Sequence, residues 1–283
     1  MYKILKKGYL APAICLMEVY APRVANAARP GQFLIVKAGD KSERIPLTIC
    51  DYSPEKGTVT IVTQEVGAST KMICGYSVGD SFEAVVGPLG QPSEFVGMDQ
   101  KLLEEERFLF VAGGLGTAPI YPQVKYLHDR GAKVDVIIGA RNSELVIMEK
   151  EVSAVCDNLY ICTDDGSKGE KGLVTDVLER LVVGGNRYTQ VVSIGPMVMM
   201  KFVTKKAAEH SLPITVSLNT LMVDGTGMCG ACRVTVAGET KFACVDGPEF
   251  NGVDVDFDEA MRRQGMYRDV ERERDHKCRI GLH

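Results

Sequence analysis

What the chain lacks narrows its chemistry. No run of about eighteen apolar residues occurs, so no membrane-spanning helix is expected. The N-terminal MYKILKKGYLAPAICLMEVY mixes lysines with apolar residues. Lys6, Lys7 and Pro12 interrupt it and no small-residue cleavage site follows, so it reads poorly as a signal peptide and a cytoplasmic location is expected. There is no basic excess: 33 Lys and Arg against 37 Asp and Glu give a net charge of −4, which offers nucleic acid no electrostatic footprint. Histidine is scarce, and His128, His210, His276 and His283 read as surface or cap residues. No Ser–His–Asp or paired-carboxylate arrangement is evident, so no protein acid or base is assigned a catalytic role. Internal repeats and low-complexity tracts are absent.

What is present is a chain of 283 residues, 45% hydrophobic and 25% charged, enough for two ordinary globular domains and a small module. Residues 1–100 hold short β segments (CLMEVYAP, GQFLIVKAG, TVTIVTQEVG, SFEAVVGPLG) divided by turn residues, with one helix near Ala68–Cys74; this spacing predicts a small antiparallel barrel. The boundary falls between Pro92 and Glu106, around the charged KLLEEER. Over residues 101–220, apolar strands (RFLFVAGG, KVDVIIGAR, NLYICTDDG, YTQVVSIG, PITVSLN) alternate with helical patterns near 117–130, 143–155, 173–182 and 197–210, which predicts a parallel α/β domain. Residues 221–250 form a compact Gly- and Cys-rich module, and 251–283 a charged tail with a surface or interface helix.

Of nine cysteines, only three are tightly grouped, as Cys229-x2-Cys232-x11-Cys244. In a reducing compartment such a group indicates metal or redox chemistry rather than disulfides. Glycines 225, 227 and 230 permit tight turns and let backbone N–H groups approach sulfur. Plant-type [2Fe–2S] sites use C-x4-C-x2-C…C. Here Asp224 stands in the first position and supplies a carboxylate in place of a thiolate. A zinc site of three cysteines and an aspartate, with Asp224 capping a turn, is the other reading of this pattern.

Two further regions suggest phosphate recognition. Arg44-Ile45-Pro46-Leu47-Thr48 opens a barrel strand; its guanidinium can pair with a pyrophosphate and its backbone and Thr48 can face a planar ring. Gly67-Ala68-Ser69-Thr70 leads into a helix whose N-terminus can hold phosphate. Taken singly, the first is also an ordinary strand edge and the second an ordinary cap. In the second domain Gly113-Gly114-Leu115-Gly116-Thr117-Ala118-Pro119 joins an apolar strand to a helix, the place where a dinucleotide pyrophosphate meets backbone N–H groups. Pro119 breaks the usual G-x-G-x-x-G fingerprint, and a plain strand-to-helix turn is the other reading of this loop. The strand ends at Gly139-Ala140-Arg141, Thr163-Asp164-Asp165-Gly166-Ser167 and Gly195-Pro196-Met197 point to the same sheet edge, where Arg141 can touch a ribose or a 2′-phosphate or stand free in solvent.

The ordered motifs R-x-P-L-T, G-x-S-T, G-G-x-G-T-A-P, G-P-M and C-x2-C-x11-C resemble the ferredoxin–NADP reductase superfamily over nearly the whole chain. Within it the chain resembles the dihydroorotate dehydrogenase electron-transfer subunits, and most of all the alpha (small) subunits of NADH-dependent reduced ferredoxin:NADP oxidoreductases. Asp224, where dihydroorotate subunits generally carry a fourth cysteine, and the tail DGPEFNGVDVDFDEAMRRQGMY favour the latter. The resemblance implies a six-stranded antiparallel flavin-binding barrel, with FAD at Arg44, Pro46, Leu47, Thr48, Gly67, Ser69 and Thr70. It implies NAD(H), with NADP(H) not excluded, at Gly114, Gly116, Thr117 and Ala118, with Gly195, Pro196 and Met197 under the nicotinamide. It also implies a larger, glutamate-synthase-like flavoprotein partner carrying further iron–sulfur clusters, flavin-based electron bifurcation, and ferredoxin as an indirect partner.

Overall fold

The structure, a computed structural model, describes residues 2–40, 42–267 and 269–273. Cys278, His276, His283 and the end of the expected tail lie outside the described residues. The first part of the chain forms β1 (Tyr2–Ala11), β2 (Ile14–Tyr20), β3 (Phe33–Lys37), β4 (Arg44–Ser53), β5 (Thr58–Gln64), β6 (Ser81–Phe82) and β7 (Ala84–Leu89), paired antiparallel in the order β6-β1-β2-β5-β4-β3-β7. β6 has two residues and the other six strands have five or more. β6 and β7 are one stretch of chain interrupted at Glu83: Phe82 pairs with Tyr2 and Ala84 with Lys37. The two edges of the sheet are therefore joined through the same segment, and the sheet rolls up as a barrel. Its interior is filled by inward-facing side chains such as Met17, Leu34, Val36, Ile49 and Ile61. Two helices, α1 (Pro22–Ala27) and α2 (Ala68–Gly75), bridge its strands.

α3 (Gln100–Glu105) leads into the second sheet. There β8 (Arg107–Gly113), β9 (Lys133–Ala140), β10 (Asn158–Thr163), β11 (Glu170–Lys171), β12 (Gln190–Ile194) and β13 (Ile214–Ser217) run parallel, in the order β11-β10-β9-β8-β12-β13. β8 is covered on both faces, as a central parallel strand should be. Phe108, Phe110 and Ala112 enter one core, with Ile120, Val124 and Leu127 of α4 (Thr117–His128) and Val152 of α5 (Glu149–Ser153). Leu109 and Val111 enter the other, with Leu178 and Leu181 of α6 (Val174–Val183) and Met200 and Val203 of α7 (Met197–Glu209). The expected helix near 143–155 is shorter than its pattern suggests. A 3-10 turn at Ser143–Leu145 is followed by α5 only after Ile147 and Met148 have been buried, with Met148 in the left-handed region at φ 55°.

The chain order places β9 on one side of β8 and β12 on the other. In open α/β sheets such a reversal marks the ligand-binding crevice beyond the carboxyl ends of the strands, here those of β8 and β12. The cysteine segment contains a hairpin, β14 (Arg233–Val236) and β15 (Glu239–Phe242), and then returns as β16 (Glu249–Asn251), which pairs antiparallel with β13 at the edge of the second sheet. The hairpin is a separate two-stranded sheet, and β16, at the end of the expected 221–250 module, joins the sheet of the α/β domain. α8 (Phe257–Gln264) follows, with Phe257 and Ala260 buried against the α7 side. Among the described residues no helix is long and apolar enough to cross a membrane.

Candidate functional site

The x11 spacing between Cys232 and Cys244 holds the hairpin Arg233–Phe242 and Ala243 after it. Its strands pair Arg233 with Phe242, and Ala237-Gly238, both at positive φ, make the two-residue turn. The cysteines flanking the hairpin are thereby brought side by side: the N–H of Ala243 donates to the carbonyl of Cys232 at 3.2 Å, and the two Sγ atoms lie 3.1 Å apart, both buried. Burial, reinforced by the Cys232 sulfur, pushes the Cys244 thiol up to about 12. Two sulfurs this close cannot both be anionic without a cation beside them, which an iron centre supplies. Cys229 is exposed. The N–H of Ala231 holds its pKa below the ordinary thiol value, with those of Asp224 and Val223 acting the same way. Such N–H donors are the means by which a loop stabilises cluster sulfur.

Gly225, Gly227 and Gly230 have φ of 82°, 86° and 66°, as the expected tight turns require. At Gly225 a Cβ would lie 2.5 Å from Ile35 Cδ1, so the loop sits directly on barrel strand β3. The Asp224 carboxylate is held below its ordinary pKa, chiefly by the Thr226 hydroxyl and also by the Thr226 N–H at 3.0 Å. Among the described residues no three His, Cys, Asp or Glu side chains are gathered as one ion site. The fit to a cluster lies in the paired thiols, the backbone donors, the exposed Cys229 and the half-buried Asp224.

At the crevice, glycine is demanded by contact. A Cβ on Gly116 would lie 2.1 Å from the Ile194 carbonyl oxygen, one on Gly113 2.4 Å from Met199 Sδ, and one on Gly195 2.7 Å from Met199 Cε. The loops after β8 and β12 therefore touch backbone to backbone, which joins two of the predicted dinucleotide segments. Gly114, at φ 53°, has open space where a Cβ would be, so ligand atoms can approach its backbone. The Thr117 hydroxyl donates to the Gly114 carbonyl at 2.9 Å and is wholly buried; it holds the loop rather than facing outward. The side chains of Ala118 and Met197 lie in the two cores, leaving only their backbones for a ligand. Pro196 caps α7. Arg141 is exposed at the end of β9. Its carbonyl accepts the N–H of Asp165 at 3.3 Å. The Asp165 carboxylate, held low chiefly by the Ser167 hydroxyl, shapes the β10 turn, and that hydroxyl also accepts the Ser143 N–H at 2.7 Å.

On the barrel, Arg44, Pro46 and Thr48 alternate along β4 on one face, while Leu47 turns into the core. Ser69 donates to Glu43 at 2.5 Å, which brings the start of β4 against the N-terminus of α2. That first turn holds no acidic residue of its own and a Cβ on Gly67 would meet nothing within 4 Å, but the Glu43 carboxylate already stands at this N-terminus, where a phosphate would take its place. The Thr70 hydroxyl accepts the N–H groups of Val66 and Gly67 at 2.9 and 3.1 Å; it shapes the turn. Glu43, Thr226 and Glu249 belong to no motif of the sequence. A two-residue Ala-Gly turn between alternating runs was the available signal for the hairpin.

The family described as the iron-sulfur cluster binding domain of dihydroorotate dehydrogenase B matches residues 219–256, and the oxidoreductase NAD-binding domain matches residues 110–205. The chain is 56% identical over 272 residues to a Clostridium beijerinckii protein named "Uncharacterized protein in adh 3'region", covering 96% of this chain and 92% of that protein. It is 45% identical to a Thermotoga maritima "Dihydroorotate dehydrogenase B (NAD(+)), electron transfer subunit homolog", covering 95% of this chain and 93% of that one. Its fold superposes with a TM-score of 0.89, at 43% identity and 97% coverage of both chains, on a solved structure described as giving insights into flavin-based electron bifurcation via the NADH-dependent reduced ferredoxin-NADP oxidoreductase. The chain belongs to the family of dihydroorotate dehydrogenase B-type electron-transfer subunits, oxidoreductases of the ferredoxin–NADP reductase superfamily with an NAD-binding and an iron–sulfur cluster-binding domain.

Proposed function

We propose that this chain passes electrons between NAD(H), FAD and a [2Fe–2S] cluster as the small subunit of a flavin-based electron-bifurcating ferredoxin:NADP oxidoreductase, beside a larger glutamate-synthase-like flavoprotein. The observation that carries the reading is the cluster loop. The Cys232 and Cys244 thiols are paired, N–H groups of the same loop donate to Cys229 near Asp224, and Arg44 of the predicted flavin strand donates to the Asp224 carbonyl at 3.2 Å. The bound nicotinamide and flavin supply hydride chemistry, and the cluster one-electron chemistry. The chain's own residues bind and orient. Arg44 and the Gly67–Thr70 turn take the flavin phosphates, and Pro46, Leu47 and Thr48 line its strand. The loop from Gly114 to Ala118 takes the dinucleotide, with Arg141 and Asp165 at its rim and Gly195, Pro196 and Met197 under the nicotinamide. Asp224, Cys229, Cys232 and Cys244 take the iron.

The test is anaerobic purification of the native complex. Flavin bands, a thiolate-to-iron envelope and a co-purifying glutamate-synthase-like subunit are expected; a colourless zinc protein sinks the reading. A second reading, an electron-transfer subunit for dihydroorotate oxidation, is favoured by the name of the Thermotoga relative. Dihydroorotate oxidation by the purified complex would select it.

A further inference from the structure

Glu249 has no part in the sites above, yet it sits where three parts of the molecule meet. It lies on β16, and Phe250 beside it packs into the small core that contains Cys232 and Cys244. Glu249 Oε1 accepts from Ser93 Oγ at 3.0 Å, on the segment leaving the barrel, and from Gln123 Nε2 at 3.0 Å, on the helix that begins at the dinucleotide loop. The residue as a whole is half-buried while its carboxyl is enclosed.

Two features make this more than a structural contact. Gln123 is wholly buried, and its Oε1 has no hydrogen-bond partner. With the carboxyl ionised, Ser93 and the Gln123 amide both donate to it. With the carboxyl protonated, a turn of the amide lets the acid O–H donate to the orphan Gln123 oxygen, in exchange for the longer 3.5 Å contact of Gln123 Nε2 with the Pro119 carbonyl. Both protonation states are thus accommodated. The second feature is access. Glu249 lines a cavity of about 220 Å³, with exposed Glu94 and half-buried Glu106 also on its wall. Those are the charged groups facing it; β12 and β13 contribute the neutral Gln190 and Thr215, and α4 the neutral Gln123.

We propose that the Glu249 carboxylate takes up one solvent proton when one electron enters the neighbouring iron–sulfur loop and releases it when the electron leaves, so that the pair gains no net charge on reduction. The electron comes from dihydronicotinamide through the flavin, or from dithionite in the test; the proton comes from water and forms the carboxyl O–H. Burial, with Glu94 adding to it against the two donors, pushes Glu249 up to about 7 and poises it for this exchange.

The inference rests on the electron-transfer reading, and the experiment separates the two. The anaerobic holoprotein is titrated with dithionite while the reduced cluster is followed by its paramagnetic signal, from pH 6 to 9. The cluster midpoint is expected to be level below pH about 7 and to fall above it, approaching a tenfold change in the reduced-to-oxidised ratio per pH unit, about 59 mV for one electron. Reduction at pH 8 is expected to raise a protonated-carboxyl band in the infrared difference spectrum. Glu249→Gln should abolish both. Ser93→Ala, which leaves the carboxyl in place but removes a donor to its charged form, should move the break to higher pH. A fall or a band that persists in Glu249→Gln, a midpoint level throughout in the parent protein, or an unmoved break in Ser93→Ala overturns the proposal while the electron-transfer reading stands. A holoprotein that takes up neither flavin nor cluster overturns both.

Discussion

The guanidinium of Arg44 donates to the main-chain carbonyl of Asp224 at 3.2 Å, across 180 residues of sequence. One arginine thus stands at the start of the predicted flavin strand and also anchors the first residue of the cluster loop. A lost hydrogen bond from a charged donor costs about 1.5–3 kcal/mol at most, and less at this exposed position. Arg44→Ala is therefore expected to lower the flavin-to-protein ratio, with roughly tenfold weaker flavin binding, and to broaden the paramagnetic spectrum of the reduced cluster. Equilibrium flavin titration and that spectrum check both effects. A changed flavin ratio with an unchanged cluster signal would mean that the contact is incidental.

Asp224 separates two roles that a structure alone places side by side: turn former, through Thr226, and cluster ligand. Asp224→Asn keeps the acceptor oxygen for the Thr226 turn and removes the anionic ligand. Asp224→Ala removes both. Both variants are expected to keep flavin and to change the reduced-cluster spectrum in the same direction. If Asp224→Asn matches the parent protein and only Asp224→Ala differs, the carboxylate serves the turn alone.

The features legible in the sequence are those with a local cause. The Gly113–Ala118 loop, the positive-φ glycines at 225, 227 and 230, and the alternation of strand and helix leave marks within a few residues. β1 left none: along its ten residues only Ile4 is buried, because most of its side chains face away from the core. The closure of the barrel through Ser81–Leu89 needed the pairing on both sides at once. Motif singles out Thr117, Ala118, Thr70 and Met197, but the turning of their side chains into caps and cores is a tertiary outcome. Glu249 had no signal, since a lone glutamate after Gly-Pro reads as solvated until Ser93 and Gln123 are brought to it from 156 and 126 residues away.

The crevice glycines make separable predictions. Gly116→Ala places a Cβ 2.1 Å from the Ile194 carbonyl and must push the β8 and β12 loops apart. A loss of about 1–3 kcal/mol in stability is expected, together with at least about tenfold weaker NADH binding, because the pyrophosphate cradle widens. Gly114→Ala meets no neighbour, so its stability cost is the left-handed backbone alone, about 1–2 kcal/mol. Its effect on NADH reports the added methyl against the ligand. Denaturant melts and NADH titrations of both variants check the ordering. Equal NADH binding in both variants and the parent would remove this loop from the dinucleotide site.

Glu249 also carries a stability signature that needs no cofactor. Its carboxyl rises from an ordinary 4.5 to about 7 in the folded chain, so between these values the native state holds a proton that the unfolded chain has lost. Stability then falls as pH rises. The contribution is fully present below about pH 4.5 and is lost as pH passes about 7. At about 1.4 kcal/mol per pH unit the full swing is roughly 3 kcal/mol, an upper bound because the residue is only half-buried. The carboxylates held low, Asp157, Asp165 and Glu179 among them, act in the opposite sense, but their loss lies at lower pH. Urea melts of the full chain at pH 5.5 and 7.5 should therefore show a decline that Glu249→Gln flattens. A parent-like decline in that variant would place the titrating group elsewhere.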